Sequence, residues 1–296
     1  MSVLLFFVDG LGIGARGAPN PLDWLGDELG APLAIFRDEE PAIIENGLLA
    51  RTDACLGVPG RPQSASGQTT ILTGINAPAT LGAHKQGFPN EPLREILRAH
   101  SIFLQLKNLG VGPNAFANAY TPRFFAERPR WVSATTVAVE AAGMNFRTLE
   151  DLIAGRALYH DFTNDALREV GQPHIPARTP AEAAAILARL AGEHRFTLYE
   201  FFITDRMGHA QDHEGARRVL GALALFVREL LGRVDLTRTT VVLTSDHGNI
   251  EDLSSRNHTL NAVPTLLWGP AREQLHARIR TLADLTPAIV ETLARF

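Results

Sequence analysis

Short apolar runs without polar alternation are interleaved along this chain with longer stretches of helical periodicity. Val3-Leu-Leu-Phe-Phe-Val8 is apolar at every position, the pattern of a strand covered on both faces. Thr197 to Thr204 and Thr239 to Thr244 have the same character, and Ala262 to Trp268 predicts a fourth strand. Pro264 lacks a backbone donor and pushes that last strand towards an edge or a strand start. Between the strands, Thr179-Pro-Ala-Glu182 places a capping hydroxyl, a first-turn proline and an acid ahead of a helix over Pro180 to Ala191. Gly215 to Leu231 repeats apolar residues at helical spacing (Val219, Leu220, Leu223, Phe226, Val227, Leu230), and Asp284 to Arg295 is a further amphipathic helix.

This alternation predicts an α/β fold: an open, mostly parallel sheet with helices on both faces. The whole chain, 1–296, is expected to form a single domain. The middle, Pro78 to Gln172, is less regular. It holds helical patterns at Pro92 to Leu109 and Ser133 to Ala142 and a weak strand at Asn114 to Tyr120, and is read as core, as a reduced cap or lid within 78–172, or as both.

Composition narrows the function classes. Hydrophobic residues at 45% and charged residues at 20% exclude general disorder. A net charge of −4 argues against nucleic-acid binding by phosphate neutralisation. No apolar run approaches the ~20 residues that span a bilayer, so no membrane partner is expected. The single Cys55 excludes an internal disulfide and fits a reducing, cytoplasmic setting.

Each of the three clearest strands leads into an acid: Asp9, Asp205 and Asp246. In open α/β sheets ligands sit beyond the carboxyl ends of the strands. Three carboxylates gathered at that edge are costly unless cations neutralise them. Histidines accompany the acids. His209 follows Asp205 by one helical turn, His247 adjoins Asp246, and His258 immediately precedes the fourth strand. Mixed nitrogen and oxygen ligands suit Zn²⁺ or Mn²⁺ better than Ca²⁺ or Mg²⁺. The spacing of His209 and His213 is that of a zinc protease helix, but the Glu such enzymes need after the first His is absent.

A nucleophile is also on offer. Pro62-Gln-Ser-Ala-Ser-Gly-Gln-Thr-Thr70 is rich in small hydroxyls ahead of an apolar helical run, where backbone N–H groups favour a bound phosphate. Ser64 is the candidate, with Ser66, Thr69 and Thr70 as alternatives. Lys85, Arg123, Arg206 and Arg256 are candidate phosphate clamps, since cationic groups, and guanidinium forks above all, match phosphate oxygens.

Taken together these motifs resemble the alkaline phosphatase superfamily of metalloenzymes, nearest to its cofactor-independent phosphoglycerate mutase and phosphopentomutase branch. The resemblance rests on Phe7-Val-Asp-Gly-Leu-Gly12, Gln63-Ser64, Asp205-x3-His209, Ser245-Asp-His-Gly-Asn249 and His258-Thr-x-Asn-x-Val-Pro264, in the family's order. Gly87-Phe-Pro-x-Glu91 and Asp284-Leu-Thr-Pro287 are secondary similarities. It implies two divalent metal sites, one of Asp205, His209 and His258 and the other of Asp9, Asp246 and His247, with Ser64 bridging towards the metals as nucleophile. It also implies a phosphoserine intermediate formed on a small-molecule phosphate ester.

Two departures bear on the outcome. Where the mutase branch has Asn-Ser-Glu-Val-Gly-His, this chain has Gln63-Ser-Ala-Ser-Gly-Gln68. The interval from Ile75 to Phe202 is also short for a full cap, and a phosphoserine open to water favours hydrolysis. The leading expectation is therefore a phosphomonoesterase or phosphodiesterase. A phosphoglycerate or phosphosugar mutase is the alternative, and a non-catalytic metal-binding module the third reading.

Overall fold

The computed structural model describes residues 1–40, 44–169, 171–172 and 174–295. The first half of the chain runs β1 (Ser2–Val8), α1 (Pro21–Gly30), β2 (Leu48–Thr52), α2 (Ser64–Thr73), α3 (Ala77–Leu81), α4 (Glu91–His100), α5 (Ile102–Asn108), β3 (Asn114–Phe116), α6 (Pro122–Ala126) and α7 (Ala134–Ala141). The second half runs α8 (Leu149–Ile153), α9 (Asp165–Glu169), α10 (Pro180–Glu193), β4 (Phe196–Phe201), α11 (Ile203–Ala210), α12 (His213–Leu231), β5 (Thr239–Ser245), β6 (Val263–Trp268), α13 (Arg272–Arg278) and α14 (Leu285–Ala294).

The six strands form one sheet in the order β2-β6-β5-β1-β4-β3. β1 lies parallel to both β4 and β5, and β3 parallel to β4, while β6 pairs antiparallel with β5 and β2. This is the open, mostly parallel α/β sheet that the alternation predicts. Side chains alternate across a strand, and β1 shows why its run Val3 to Val8 carries no polar residue. Leu4, Phe6 and Val8 enter one core with α10 and α12, whereas Val3, Leu5 and Phe7 enter another with α2, α5, α7 and α14.

Several elements differ from the sequence expectation. The strand expected over Thr197 to Thr204 stops at Phe201, and Thr204 and Asp205 belong to the first turn of α11. Of the two places expected for Pro264 the strand start holds and the edge does not: it is the second residue of β6, which lies inside the sheet. The helix expected over Pro92 to Leu109 is two helices broken at Ser101, whose hydroxyl accepts from the Leu104 N–H and starts α5. The Asn114–Tyr120 strand is shortened to Asn114–Phe116. β2 went unread because Leu48-Leu-Ala-Arg-Thr52 has neither the length nor the β-branched content of the other strands.

Within 78–172, β3 extends the sheet, while Leu97, Phe103, Leu106 and Val137 fill the core on one face of it. Among the described residues no helix is long and apolar enough to cross a membrane.

One buried acid lies on a sheet strand without a cationic partner. Glu200 of β4 is 3% exposed and accepts a hydrogen bond from the Thr135 hydroxyl. Burial pushes its carboxyl up to about 8, with the Thr135 bond pulling partly back. A carboxyl that stays protonated in the folded chain contributes stability below its unfolded pKa, and that contribution is lost as pH rises towards the folded value. Glu200→Gln is therefore expected to leave stability nearly unchanged at pH 4.5 and to raise it progressively up to pH 8, by a few kcal/mol. Urea midpoints of both proteins across that window measure it. A pH-independent difference would contradict the assignment.

Candidate metal centre

The carboxyl ends of β1 and β5 and the start of α11 converge on one point. β1 ends at Val8, and Gly10 turns the chain at φ 73°. A Cβ there would stand 2.8 Å from Asp205 Oδ1 in a backbone region that L side chains rarely adopt, so the close approach requires glycine. At the last residue of β5, the Ser245 hydroxyl accepts from the Leu11 N–H at 2.9 Å and donates to the His247 carbonyl at 2.9 Å, fixing the turn that presents Asp246 and His247. Thr204 donates its hydroxyl to the Asp9 carbonyl at 2.5 Å and ties α11 to β1.

The structure brings all six sequence-predicted ligands together in two clusters. In the first, His209 Nε2 lies 3.2 Å from Asp205 Oδ2, and His258 Nε2 lies 3.5 Å from Asp205 Oδ1 and 3.2 Å from His209 Nε2. In the second, His247 Nε2 lies 3.3 Å from Asp9 Oδ1 and 3.4 Å from Asp246 Oδ2. The His247 and His258 rings stack at 3.6 Å and join the clusters.

The donor set fits a cation for a specific reason. His209 Nδ1–H donates to the Arg256 carbonyl at 2.7 Å, and His258 Nδ1–H donates to the Pro62 carbonyl at 2.8 Å. Carbonyls only accept, so both protons sit on Nδ1 and the two Nε2 lone pairs face each other beside a carboxylate. In the second cluster, Asp9 Oδ1 is buried without a hydrogen-bond partner.

Electrostatics point the same way. Burial holds Asp9 well above the ordinary carboxylate range, and Asp246, Asp205 and Glu200 add to the effect. Asp246 is raised by burial and by Asp205, while the Gly10 N–H and the Gln68 amide pull it partly back. Burial depresses His247 strongly and His258 as well. A bound dication would reverse the upward shift of the carboxyls and reinforce the depression of the imidazoles, favouring carboxylate and neutral imidazole together.

Ser64 opens α2, half-buried, with its Oγ 3.0 Å from His247 Nε2. The alternatives are occupied elsewhere. Ser66 donates to the Gln63 carbonyl and accepts from the Lys85 N–H, Thr69 donates to Ala65, and Thr70 donates to Ser66. Gln68, one turn after Ser64, donates its amide to Asp9 Oδ2 and Asp246 Oδ2, both at 3.3 Å.

The candidate clamps are placed differently. Lys85 donates its Nζ to the Gln86 carbonyl, Arg123 is exposed and paired with Glu127 at 3.2 Å, and Arg206 is exposed on α11. Among the described residues, no hydrogen bond or ion pair joins these three side chains to the six clustered ones. Arg256 donates to Gln211 and contributes its carbonyl, not its guanidinium, to His209.

Sequence reasoning missed Glu251. This carboxylate is 1% exposed and accepts from the Gly12 N–H (3.0 Å), the Asn249 N–H (2.7 Å), the Thr259 hydroxyl (2.5 Å) and the Asn261 amide (3.0 Å). It ties together the three loops that carry Asp9, Asp246–His247 and His258. Only its position two residues after Asn249 could have signalled it. Asn249 itself donates its amide to Asp205 Oδ1 at 2.6 Å. Glu251→Ala leaves four donors without their acceptor, and positioning partners of metal ligands typically contribute 10–100-fold in affinity. We expect a drop of that size in Mn²⁺ or Zn²⁺ affinity by calorimetry, together with a lower melting temperature. Unchanged affinity would refute the positioning role.

Comparison with known proteins adds a partial family match. The Metalloenzyme superfamily model matches residues 176–295. That stretch includes five of the six clustered residues, all but Asp9, and Glu251. The resemblance read from the motifs holds. Curated relatives include the 2,3-bisphosphoglycerate-independent phosphoglycerate mutases of Mycoplasmoides gallisepticum, 30% identical over 120 residues, and of Microcystis aeruginosa, 30% identical over 132 residues. Each match covers 38% of this chain. The matched stretch spans about a quarter of the length of those relatives, 24% and 25%.

Among solved structures, a Pyrococcus horikoshii protein superposes with a TM-score of 0.58 at 15% identity, covering 100% of this chain and 97% of that one. The cold-active alkaline phosphatase of a psychrophilic Shewanella species gives 0.53 at 10% identity, covering 99% and 100%. These likenesses show an alkaline-phosphatase-like fold.

Proposed function

We propose that this protein is a two-metal phosphohydrolase acting on small phosphate esters through a phosphoserine at Ser64. The observation that carries the reading is the placement of Ser64 Oγ at the first turn of α2, 3.0 Å from His247 Nε2 of the second cluster, whose ring stacks on His258 of the first. Asp205, His209 and His258 would hold one ion, and Asp9, Asp246 and His247 the other, as Mn²⁺ or Zn²⁺. Such ions supply charge neutralisation for an in-line displacement and make a serine alkoxide accessible near neutral pH.

The chain's own groups do the rest. The N-terminus of α2 turns its free backbone N–H groups towards an incoming phosphate. Ser64 Oγ gives up its proton and forms the new O–P bond as the ester's P–O bond breaks and the leaving oxygen is protonated. Water then attacks the phosphoserine, releasing inorganic phosphate and returning the hydroxyl. Gln68 holds Asp9 and Asp246 apart through one amide, where the mutase branch has an imidazole.

Hydrolysis is favoured over transfer because the interval from Ile75 to Phe202 is largely committed to the sheet and its flanking core, through β3, α4, α5 and α7. A reduced cap within 78–172, in place of a full one, is part of this reading. The mutase reading keeps the support of the phosphoglycerate mutase relatives. Inorganic phosphate released from a phosphate-ester panel, set against isomerised product, separates the two. Stoichiometric phosphate is the expected result, and isomerised product without phosphate would reject hydrolysis.

A further inference from the structure

A hollow of about 500 Å³ opens beside the metal centre and is not used by anything described above. It lies at the carboxyl ends of β3 and β4, and β4 neighbours β1, which carries Asp9. Adjacent strands are 4.7–4.9 Å apart, so the hollow begins roughly 5–10 Å along the sheet edge from Asp9. Phe202 lines it and leads directly into α11, the helix of Asp205 and His209.

Its walls are aromatic: Phe116, Tyr120, Phe124, Trp131 and Phe202. Tyr120 and Phe124 approach to 4.3 Å between centroids, and Trp131 stands 53% exposed at the rim. Several of the polar groups that line it are already committed, while the Tyr159 and Thr121 hydroxyls make no hydrogen bond among the described residues. The Tyr120 and Ser133 hydroxyls both pair with the Thr136 hydroxyl, at 2.7 and 2.9 Å. Asn118 spends its amide on the backbone of Glu200, donating at 2.8 Å and accepting at 3.0 Å.

Nor does the interior present a charge. Glu200 is held protonated near neutral pH, and burial and Arg206 keep His160 neutral by lowering it to about 4. The cation at the mouth, Arg123, is paired with Glu127. His160 Nδ1 remains as a buried polar atom without a partner. A polyhydroxylated sugar would find few free partners here, and a second phosphate no free cation in the interior. An aromatic ring would find stacking surfaces and a few polar contacts, the usual make-up of a small-molecule site of this volume.

We propose that this hollow receives the leaving group of the phosphate ester and selects an aryl, or similarly flat apolar, alcohol over a sugar or glycerol. The inference rests on the phosphohydrolase reading above and names the substrate class of that site. With the Mn²⁺-loaded full chain, KM is expected to fall at least tenfold from glycerol phosphate to phenyl and then 1-naphthyl phosphate. Phe124→Ala and Trp131→Ala should each raise KM for 1-naphthyl phosphate about tenfold with a much smaller change in kcat. Circular dichroism and thermal unfolding check that the variants fold.

A second measurement needs no turnover: equilibrium binding of 1-naphthol to wild type and to Phe124→Ala. Saturable binding weakened by the substitution supports the hollow as the apolar subsite. Turnover with a flat KM series and no naphthol binding overturns the inference while leaving the phosphohydrolase reading standing. Naphthol binding without turnover of any ester does the reverse. Insensitivity of both KM and naphthol binding to Phe124→Ala and Trp131→Ala would also overturn it, and would assign the exposed aromatics to another partner.

Discussion

Ser64→Ala is expected to lower phosphate-ester turnover on the order of 10⁴-fold while leaving metal binding largely in place. The hydroxyl is the attacking atom, so its loss removes the covalent step and leaves only charge stabilisation and alignment by the rest of the site. Ser66→Ala should cost far less, because the Ser66 hydroxyl is engaged with Gln63 and the Lys85 backbone and never faces the clusters. Trapping supplies the direct check: acid-quenched wild type carries label from a radiolabelled ester at Ser64, and Ser64→Ala carries none. Activity surviving in Ser64→Ala within tenfold of wild type would remove the phosphoserine route. Retained metal affinity with no turnover in the wild type would instead favour a binding module.

Removing the metals is the second large effect, and it is legible in stability as well as in rate. In the metal-free protein Asp9 and Asp246 are buried beside one another and beside Asp205, and both are pushed upward. A carboxyl whose folded pKa is raised binds more protons when folded than when unfolded. Stability is then greatest below the ordinary carboxylate range and declines as pH rises through it. Chelated protein should lose stability with rising pH above about 4, and metal-loaded protein should lose much less.

At a metal concentration one hundred times Kd the gain is about 2.7 kcal/mol, roughly 5 °C or more in melting temperature for a chain of this size. Asp9→Asn should abolish most of that metal-induced shift yet stabilise the chelated protein at pH 8, because it removes a buried carboxyl whose Oδ1 has no hydrogen-bond partner. A melting temperature indifferent to EDTA, Mn²⁺ and Zn²⁺ would sink the metal assignment, and with it the proposed chemistry.

Much of the candidate site was readable in one dimension because its residues sit at or near the ends of regular elements. Asp9 and Asp246 follow runs that declare themselves as buried strands, and His247 and His258 are tethered to the turns around them. Asp205 and His209 were readable as a pair at i,i+4 spacing, although the strand and helix boundary was misjudged by three residues. Propensity cannot see that Phe202 has already left the sheet to start α11. Glu251 was silent because a buried carboxylate that accepts four hydrogen bonds looks, in sequence, like any loop acid. The phosphate clamps were overread for the matching reason: an arginine near a motif says nothing about its partner, and Arg123 has Glu127.

The period of the apolar residues by itself determined the doubly covered strands, the flanking helices and the edge of the sheet at which the acids must emerge. That follows from geometry local to each segment, a side-chain repeat of two or 3.6 residues. Which hydroxyl faces the clusters, which antiparallel strands complete the sheet, and how β3 and β4 leave an aromatic hollow beside Asp9 were decided only by the tertiary structure. Those outcomes depend on the rotational phase of α2 and on pairings between residues more than a hundred positions apart, such as Ser64 with His247. No local pattern encodes such pairings, because they are fixed by the packing of the whole sheet.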